Sequence, residues 1–180
     1  AANEMKQRIA SMVTGKAAEQ MTVCTFHSLG VKILREDGMK IGVKKNFTII
    51  DEHDRLTTLK QIIRKNSRGI KKIPVEQFAS QISRAKNASQ DPDYFKTAET
   101  PDLKMARMYR SYHTALLSRQ CVDFDDLLLL PLRLFERFPE ILEKYRKRFR
   151  FISIDEYQDT NVVQMRLARL LAAPRNNIMA

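Results

Sequence analysis

Cysteine is scarce in this sequence, and the lack of a cysteine cluster limits the kinds of site the chain can form. The two cysteines, Cys24 and Cys121, are far apart, and neither belongs to a CxxC pair or a Cys/His cluster. This spacing argues against a disulfide framework and against a structural zinc site. We expect both side chains to be buried, reduced thiols.

Long hydrophobic runs are also lacking. The longest is "LLLLPL", Leu127–Leu132, which is far too short to cross a bilayer. The first residues show no basic stretch followed by an apolar one, as a secretory signal would. The sequence therefore predicts no membrane association and an intracellular, cytoplasmic location.

Glycine and proline are few, at 5 and 6 of 180 residues, while 43% of the residues are hydrophobic. Such a composition supports a packed core and makes general disorder improbable. Long amphipathic stretches dominate, which favours a helix-rich fold over a β-sandwich or barrel. The length suits one domain or two small ones.

Acidic residues are outnumbered by basic ones, 21 to 32, which gives a formal net charge of +11. A field of this sign attracts polyanions, of which nucleic acid is the usual one. Composition alone leaves a ribosomal-type role or an acidic protein partner open.

Strands and helices alternate at both ends of the chain, whereas the middle is almost wholly helical. Strands are predicted over Met21–Phe26 and Arg150–Ile154, and another begins near residue 176. Hydrophobic periodicity and start signals predict helices at residues 1–13, 27–37, 52–66, from 75 onward, 102–120, from 126 onward, 140–149 and 162–172. This order predicts an α/β layer that is interrupted by a helical insertion.

The stretch "IDEYQDTN" places two adjacent carboxylates, Asp155 and Glu156, at the end of a predicted buried strand. Ligands of open α/β sheets bind beyond the carboxyl ends of strands, and the Walker-B arrangement of nucleotide-hydrolysing proteins uses this position. One carboxylate can hold Mg²⁺ while the other activates water. The acidic N-terminus of a helix is an equally good explanation of the pair alone.

The phosphate-binding loop that such a site needs is lacking. The only similar stretch, "VTGKAA" at Val13–Ala18, has no glycine five residues before Gly15 and carries Ala17 where a hydroxyl should bind Mg²⁺. Either the Asp-Glu pair is no nucleotide site, or its phosphate loop lies outside this chain.

The whole stretch "IDEYQDTN" resembles motif II of the superfamily 1 DNA helicases of the UvrD, Rep and PcrA type. The resemblance points first to Rep-like members, and it leaves Rep, UvrD and PcrA types unseparated. Other segments resemble this family in the same order. "TVCTFHSLG" resembles motif Ib, "VDFDDLLLLP" resembles the return from the inserted 1B subdomain to subdomain 1A, and "AANEMKQRI" resembles the residues after motif Ia. The resemblance therefore covers both ends of the chain.

The resemblance implies a role for each matching residue. Asp155 would hold Mg²⁺, largely through water, Glu156 would be the base for the water that attacks ATP, and Gln158 would lie near the γ-phosphate. Thr25, Phe26, His27 and Ser28 would line the path of single-stranded DNA. Packing in the core for Phe26 and a capping or hydrogen-bonding role for His27 are the alternatives.

The resemblance also implies a partial P-loop NTPase (RecA-like) parallel sheet layer, subdomain 1A, with an inserted all-helical subdomain 1B. The expected divisions are residues 1–38 (1A), 39–117 (1B) and 118–180 (1A). The implied cofactors are ATP and Mg²⁺, and the implied partners are single-stranded DNA, duplex DNA and the rest of the helicase chain with its Walker A segment and second RecA-like domain. Without these parts we expect no ATPase activity from the chain. A basic helical nucleic-acid-binding module without ATPase activity is the alternative.

The resemblance implies that the 1B insertion faces duplex DNA, which makes a nearly single-signed basic run in the middle of the chain the candidate surface for it. Glu76 is the one acidic residue in this stretch, and the basic residues are Lys60, Arg64, Lys65, Arg68, Lys71, Lys72, Arg84 and Lys86. Contacts to phosphates would give strong salt dependence and little sequence preference. The alternative is a solvated face. The carboxylates at Asp123, Asp125 and Asp126 could similarly be metal ligands or a capping box at a helix start.

Overall fold

A computed structural model describes residues 21–66, 74–99 and 102–179, together with Glu4, Gln7 and Ser11, which are helical. The helix predicted at residues 1–13 is thus described at three positions only, and the "VTGKAA" stretch lies outside the described residues. Three members of the basic run also lie outside them: Arg68, Lys71 and Lys72.

Helices form most of the described structure. They are α1 (Phe26–Asp37), α2 (Glu52–Asn66), α3 (Val75–Asn87), α4 (Tyr94–Thr97), α5 (Leu103–Ser118), α6 (Asp126–Arg137), α7 (Pro139–Arg148) and α8 (Val162–Ala172). Short 3-10 helices cover Gly38–Ile41 and Tyr157–Asp159. All the helices predicted after residue 26 are present, within one or two residues where both ends were predicted.

Local signals in the sequence set where several helices begin. The carboxylate of Asp51 accepts the N–H of Asp54 at 2.8 Å, and that of Asp102 accepts the N–H of Met105 at 2.9 Å. These caps satisfy backbone donors that have no partner inside the helix. Pro139 is the first residue of α7, where its missing N–H costs nothing.

The described strands are short and pair in parallel. They are β1 (Thr48–Ile49), which pairs with β2 (Cys121–Val122), and β3 (Ile152–Ser153), which pairs with β4 (Ile178–Met179). Helices α2 to α5 lie between β1 and β2 in the chain, so the chain leaves one strand and returns beside it. The predicted helix-rich α/β fold with parallel strands is confirmed.

The hydrophobic core has separate parts. Helices α2, α3 and α5 share one cluster, in which Leu59, Ile82 and Tyr112 are fully buried. Helices α1, α6, α7 and α8 share another, in which Ile33 and Leu167 are fully buried. Each part therefore removes its own apolar surface from water, the main favourable contribution to folding.

The predicted strand at Met21–Phe26 is wrong. Residues 21–25 belong to no strand, and Phe26 already begins α1. The hydroxyl of Thr25 accepts the N–H of Ser28 at 3.1 Å, so Thr25 is the N-cap of that helix. The β-branched run that suggested a strand thus ends in a helix-starting threonine.

The cysteines are free thiols, as predicted, but they are half-buried rather than buried. Burial raises the pKa of the Cys24 thiol, against a smaller lowering by Lys32. Within the described residues, no helix is long and apolar enough to cross a membrane.

Candidate functional site

The Asp155–Glu156 pair lies directly after β3. The N–H of Ile154 donates to the carbonyl of Met179 at 2.8 Å, and the Ile154 side chain is buried. Both carboxylates that follow are exposed. Pairing with β4 therefore fixes the backbone up to Ile154, and the two acidic side chains emerge just beyond the strand end, as predicted. The strand itself was predicted to be buried, but Ile152 is only half-buried and Ser153 is exposed.

Glu156 has a left-handed backbone, with φ 53° and ψ 44°. This conformation costs energy for a residue with a side chain. Its N–H donates to the Asp155 carboxylate at 3.1 Å, and its carbonyl accepts the N–H of Asp159 at 2.9 Å.

A 3-10 helix follows the pair and brings Gln158 to it. The Gln158 amide nitrogen donates to the Glu156 carboxylate. The Thr160 hydroxyl donates to the carbonyl of Tyr157 at 2.7 Å, which closes the turn. Gln158 therefore contacts Glu156 directly, a contact that goes beyond the predicted position of Gln158 near the γ-phosphate.

Asn161 then begins α8 with a capping box. Its side-chain oxygen accepts the N–H of Gln164 at 2.9 Å, and the Gln164 side chain accepts the N–H of Asn161 at 2.9 Å. The turn that carries the carboxylates is thus held between β3 and a well-capped helix.

Exposed carboxylates at this turn suit Mg²⁺, a hard cation that prefers oxygen ligands and keeps several of its waters. Among the described residues, no group of three or more His, Cys, Asp or Glu side chains is arranged to hold a metal ion. The carboxylate oxygens of Asp155 and Glu156 would fit part of the shell of a hydrated Mg²⁺ ion.

The residues at the start of α1 form a second candidate area. Thr25 and Ser28 are exposed and hydrogen-bonded, with 3.0 Å between their hydroxyl oxygens. Phe26 is half-buried and packs against the core clusters of α6, α7 and α8. These contacts support the alternative that Phe26 packs in the core, and its role in DNA binding stays a prediction.

His27 stacks on Phe124, with ring centroids 3.8 Å apart and planes 23° from parallel. Burial lowers the pKa of His27, while the Asp125 carboxylate opposes that shift. The side chain of Phe124 is 59% exposed. Phe124 was not among the predicted site residues, although an aromatic residue between acidic ones in "VDFDD" is unusual for a packed core.

The basic run divides into surface and core residues. Lys60, Arg64 and Lys65 are exposed on α2. Lys86, by contrast, is fully buried, so its inclusion in a DNA-binding face is wrong. The helical period turns Lys86 towards the interior, where carboxylates distant in sequence hold its charge.

Those carboxylates are Asp123 and Asp126, each 2.7 Å from the Lys86 ammonium group. The two aspartates also form reciprocal bonds, since the N–H of Asp126 donates to Asp123 at 2.9 Å and the N–H of Asp123 donates to Asp126 at 3.3 Å. The capping-box explanation of these acidic residues therefore has the supporting geometry, and Lys86 adds a buried ion pair that the sequence did not reveal.

A groove of about 490 Å³ lies between α2 and α5. Its lining includes Lys65, Arg107 and Arg110 beside the hydroxyls of Ser111 and Thr114. Arg110 also pairs with Asp93 at 2.5 Å. Arg107 and Arg110 were not among the predicted site residues, because α5 carries them outside the basic run and only packing brings them next to Lys65.

Comparisons with known proteins identify the family of this chain. The family model described as the UvrD/REP helicase N-terminal domain matches residues 1–180. The chain is 41% identical to the ATP-dependent DNA helicase PcrA of Staphylococcus aureus (strain COL), and 39% identical to those of Bacillus subtilis (strain 168) and Leuconostoc citreum. Each match spans 180 residues, 99% of this chain and 24% of the relative.

The chain thus covers about a quarter of the length of these relatives. The family model nonetheless covers residues 1–180, which include the Asp155–Glu156 turn, the start of α1 and the helices between them. The resemblance drawn from the motifs is confirmed: this chain belongs to the UvrD/REP helicase N-terminal domain family.

Proposed function

We propose that this chain is part of a longer ATP-dependent DNA helicase that translocates on single-stranded DNA and separates duplex DNA. The chain would supply the Mg²⁺- and water-binding end of the nucleotide site and part of the DNA surface. The observation that carries the proposal is the exposed Asp155–Glu156 pair at the end of β3, with Gln158 donating to Glu156. The similar proteins, named as ATP-dependent DNA helicases, support it.

In the proposed reaction, Asp155 would hold Mg²⁺ mainly through water, and the ion would stabilise charge on the phosphates. Glu156 would accept a proton from the water that attacks the γ-phosphate, so that ADP and phosphate leave. Gln158 contacts Glu156 and could respond to the presence of the γ-phosphate. The phosphate loop and the second RecA-like domain would come from the rest of the longer protein, so the chain alone is expected to hydrolyse no ATP.

The subdomain divisions 1–38, 39–117 and 118–180 are part of this proposal. They are supported by the hydrophobic cluster of α2, α3 and α5, whose buried members all lie between Leu59 and Leu116. β1 falls within residues 39–117 and pairs with β2 of the returning segment, so the unit with its own core is the part of the chain between these two strands. Such a unit can be inserted without disturbing the layer that carries the carboxylates.

The DNA surface would consist of the start of α1 and the groove between α2 and α5. The path of the single strand would include Thr25 to Ser28, and the stacked pair of His27 and Phe124 offers an exposed aromatic face on which a base can stack. Lys60, Arg64 and Lys65 would face duplex phosphates, as would Arg68, Lys71 and Lys72.

A basic helical binding module without ATPase activity is the second candidate, and the groove of Lys65, Arg107 and Arg110 favours it independently of any nucleotide. A GxxxxGK[ST] motif encoded before Ala1 would favour the helicase, and its absence would favour the module.

Glu156→Gln in the longer protein tests the proposal. The amide keeps the size of the side chain but cannot accept the water proton, so ATP turnover should fall by about 100-fold or more. Nucleotide binding, measured with a fluorescent ATP analogue, should be retained. Glu140→Gln, at an exposed glutamate of α7, is the matched control and should hydrolyse ATP normally. Normal turnover in Glu156→Gln would contradict the assignment.

A further inference from the structure

The side chain of Asn87, at the end of α3, joins segments that are far apart in the sequence. Its amide oxygen accepts a hydrogen bond from the Asn161 side chain at 2.7 Å, across 74 residues. Its amide nitrogen donates to the Asp125 carboxylate at 2.8 Å, across 38 residues. We propose that Asn87 is a positioning residue that couples the Asp155–Glu156 turn to the His27–Phe124 stack, an inference that rests on the proposed function.

One end of this link reaches the turn that carries the carboxylates. The oxygen of the Asn161 side chain is used by the capping box, which leaves its amide nitrogen for Asn87. Asn161 directly follows Thr160, whose hydroxyl closes the turn on the carbonyl of Tyr157. A shift of Asn161 must therefore move the start of α8 and the end of the turn together.

The other end reaches the aromatic stack. Asp125 is the neighbour of Phe124 in the chain, and the backbone carbonyl of Asp125 accepts the N–H groups of Leu128 and Leu129 at the start of α6. Phe124 in turn lies against His27. A shift of the Asp125 carboxylate would therefore move the Phe124 ring, which we propose as a base-stacking surface.

Hydrogen-bond chemistry fixes the direction of the Asn87 amide. A carboxylate can only accept, so the amide nitrogen must face Asp125 and the oxygen must face Asn161. The nitrogen also donates to the carbonyl of Ser83 at 2.9 Å, which holds the same orientation. An aspartate at position 87 could still accept from Asn161, but it would place a second negative charge against Asp125.

This geometry allows a rescue experiment in the longer protein. Asn87→Asp should reduce the stimulation of ATP turnover by single-stranded DNA by about 5-fold or more, because the carboxylates at positions 87 and 125 repel each other. The turnover measured without DNA should stay near that of the unaltered protein. Combining Asn87→Asp with Asp125→Asn restores a donor opposite an acceptor, so the double variant should recover the stimulation.

Gln81→Ala removes an exposed amide from the same helix and should leave the stimulation unchanged. Full stimulation by DNA in Asn87→Asp would overturn the inference. An equal loss of ATP turnover with and without DNA that Asp125→Asn does not restore would also overturn it, because a purely structural role predicts that pattern. If the unaltered protein turns over ATP with no response to DNA, the proposed function itself is wrong and the coupling falls with it.

Discussion

Lys86 is a fully buried ammonium group that faces more negative than positive charge. Burial lowers its pKa, but the attraction of Asp126 and Asp123 outweighs this and raises it. Burial, aided by repulsion from Asp123, raises the pKa of Asp126. Burial also acts to raise the pKa of Asp123, yet Lys86 and hydrogen bonds that include the Tyr112 hydroxyl at 2.9 Å lower it overall. The lysine therefore makes two buried carboxylates tolerable.

Lys86→Met should destabilise the chain by about 3–5 kcal/mol, because it leaves both carboxylates buried without a cation. Without Lys86 the pKa of each carboxyl should rise above its unfolded value. A carboxyl of this kind costs stability above its folded pKa and regains it as the pH falls through that value. Urea denaturation should therefore show a smaller deficit near pH 5 than near pH 7.

Lys104→Met, at an exposed lysine of α5, is the matched control and should have little effect at either pH. A Lys86→Met deficit equal to that of the control would show that the buried ion pair contributes nothing to the free energy of unfolding.

At the scale of elements, the contact between α1 and α6 depends on Gly30. A Cβ atom at this position would lie 1.8 Å from the carbonyl oxygen of Leu127, much closer than real atoms approach. The obstacle is backbone, which cannot rotate away as a side chain can. The missing side chain at Gly30 thus lets α1 pack closely against α6.

Gly30→Ala should destabilise the chain by about 1–3 kcal/mol through overpacking, although alanine is the better helix former by roughly 1 kcal/mol. Gly38→Ala is the control, since its Cβ would meet the nearest atom, Cβ of Val43, at 3.2 Å. Thermal unfolding should show the larger loss for Gly30→Ala. Equal losses would mean that the close approach of α1 and α6 can relax.

Local patterns predicted the helices well because capping and hydrophobic periodicity act within a few residues. The start of α2 at Asp51 and of α7 at Pro139 follow from such signals. The contacts of Lys86 with Asp123 and of Asn87 with Asn161 span 37 and 74 residues, and no local pattern specifies them. The strand predicted before Phe26 was wrong for a related reason, since a strand depends on a partner elsewhere in the chain.

The whole molecule carries a net charge of +11, but charge alone does not define a binding surface. The groove between α2 and α5 collects Lys65, Arg107 and Arg110 beside two hydroxyl groups. Three phosphate contacts to duplex DNA would give a slope of about −2.7 in log affinity against log salt. Affinity should then fall about 40-fold between roughly 50 and 200 mM salt from these residues alone.

Fluorescence anisotropy with a labelled duplex can separate the groove from the general charge. Replacing Lys65, Arg107 and Arg110 by glutamine should make the slope less steep by about 2.7. The control replaces Lys147, Arg150 and Arg175, which are also exposed, and removes the same net charge. If a long-range field attracts the DNA, both triple variants should reduce the slope equally. If the groove makes direct phosphate contacts, the groove variant alone should reduce it. Equal slopes in the two variants would therefore count against the groove as the duplex-binding surface.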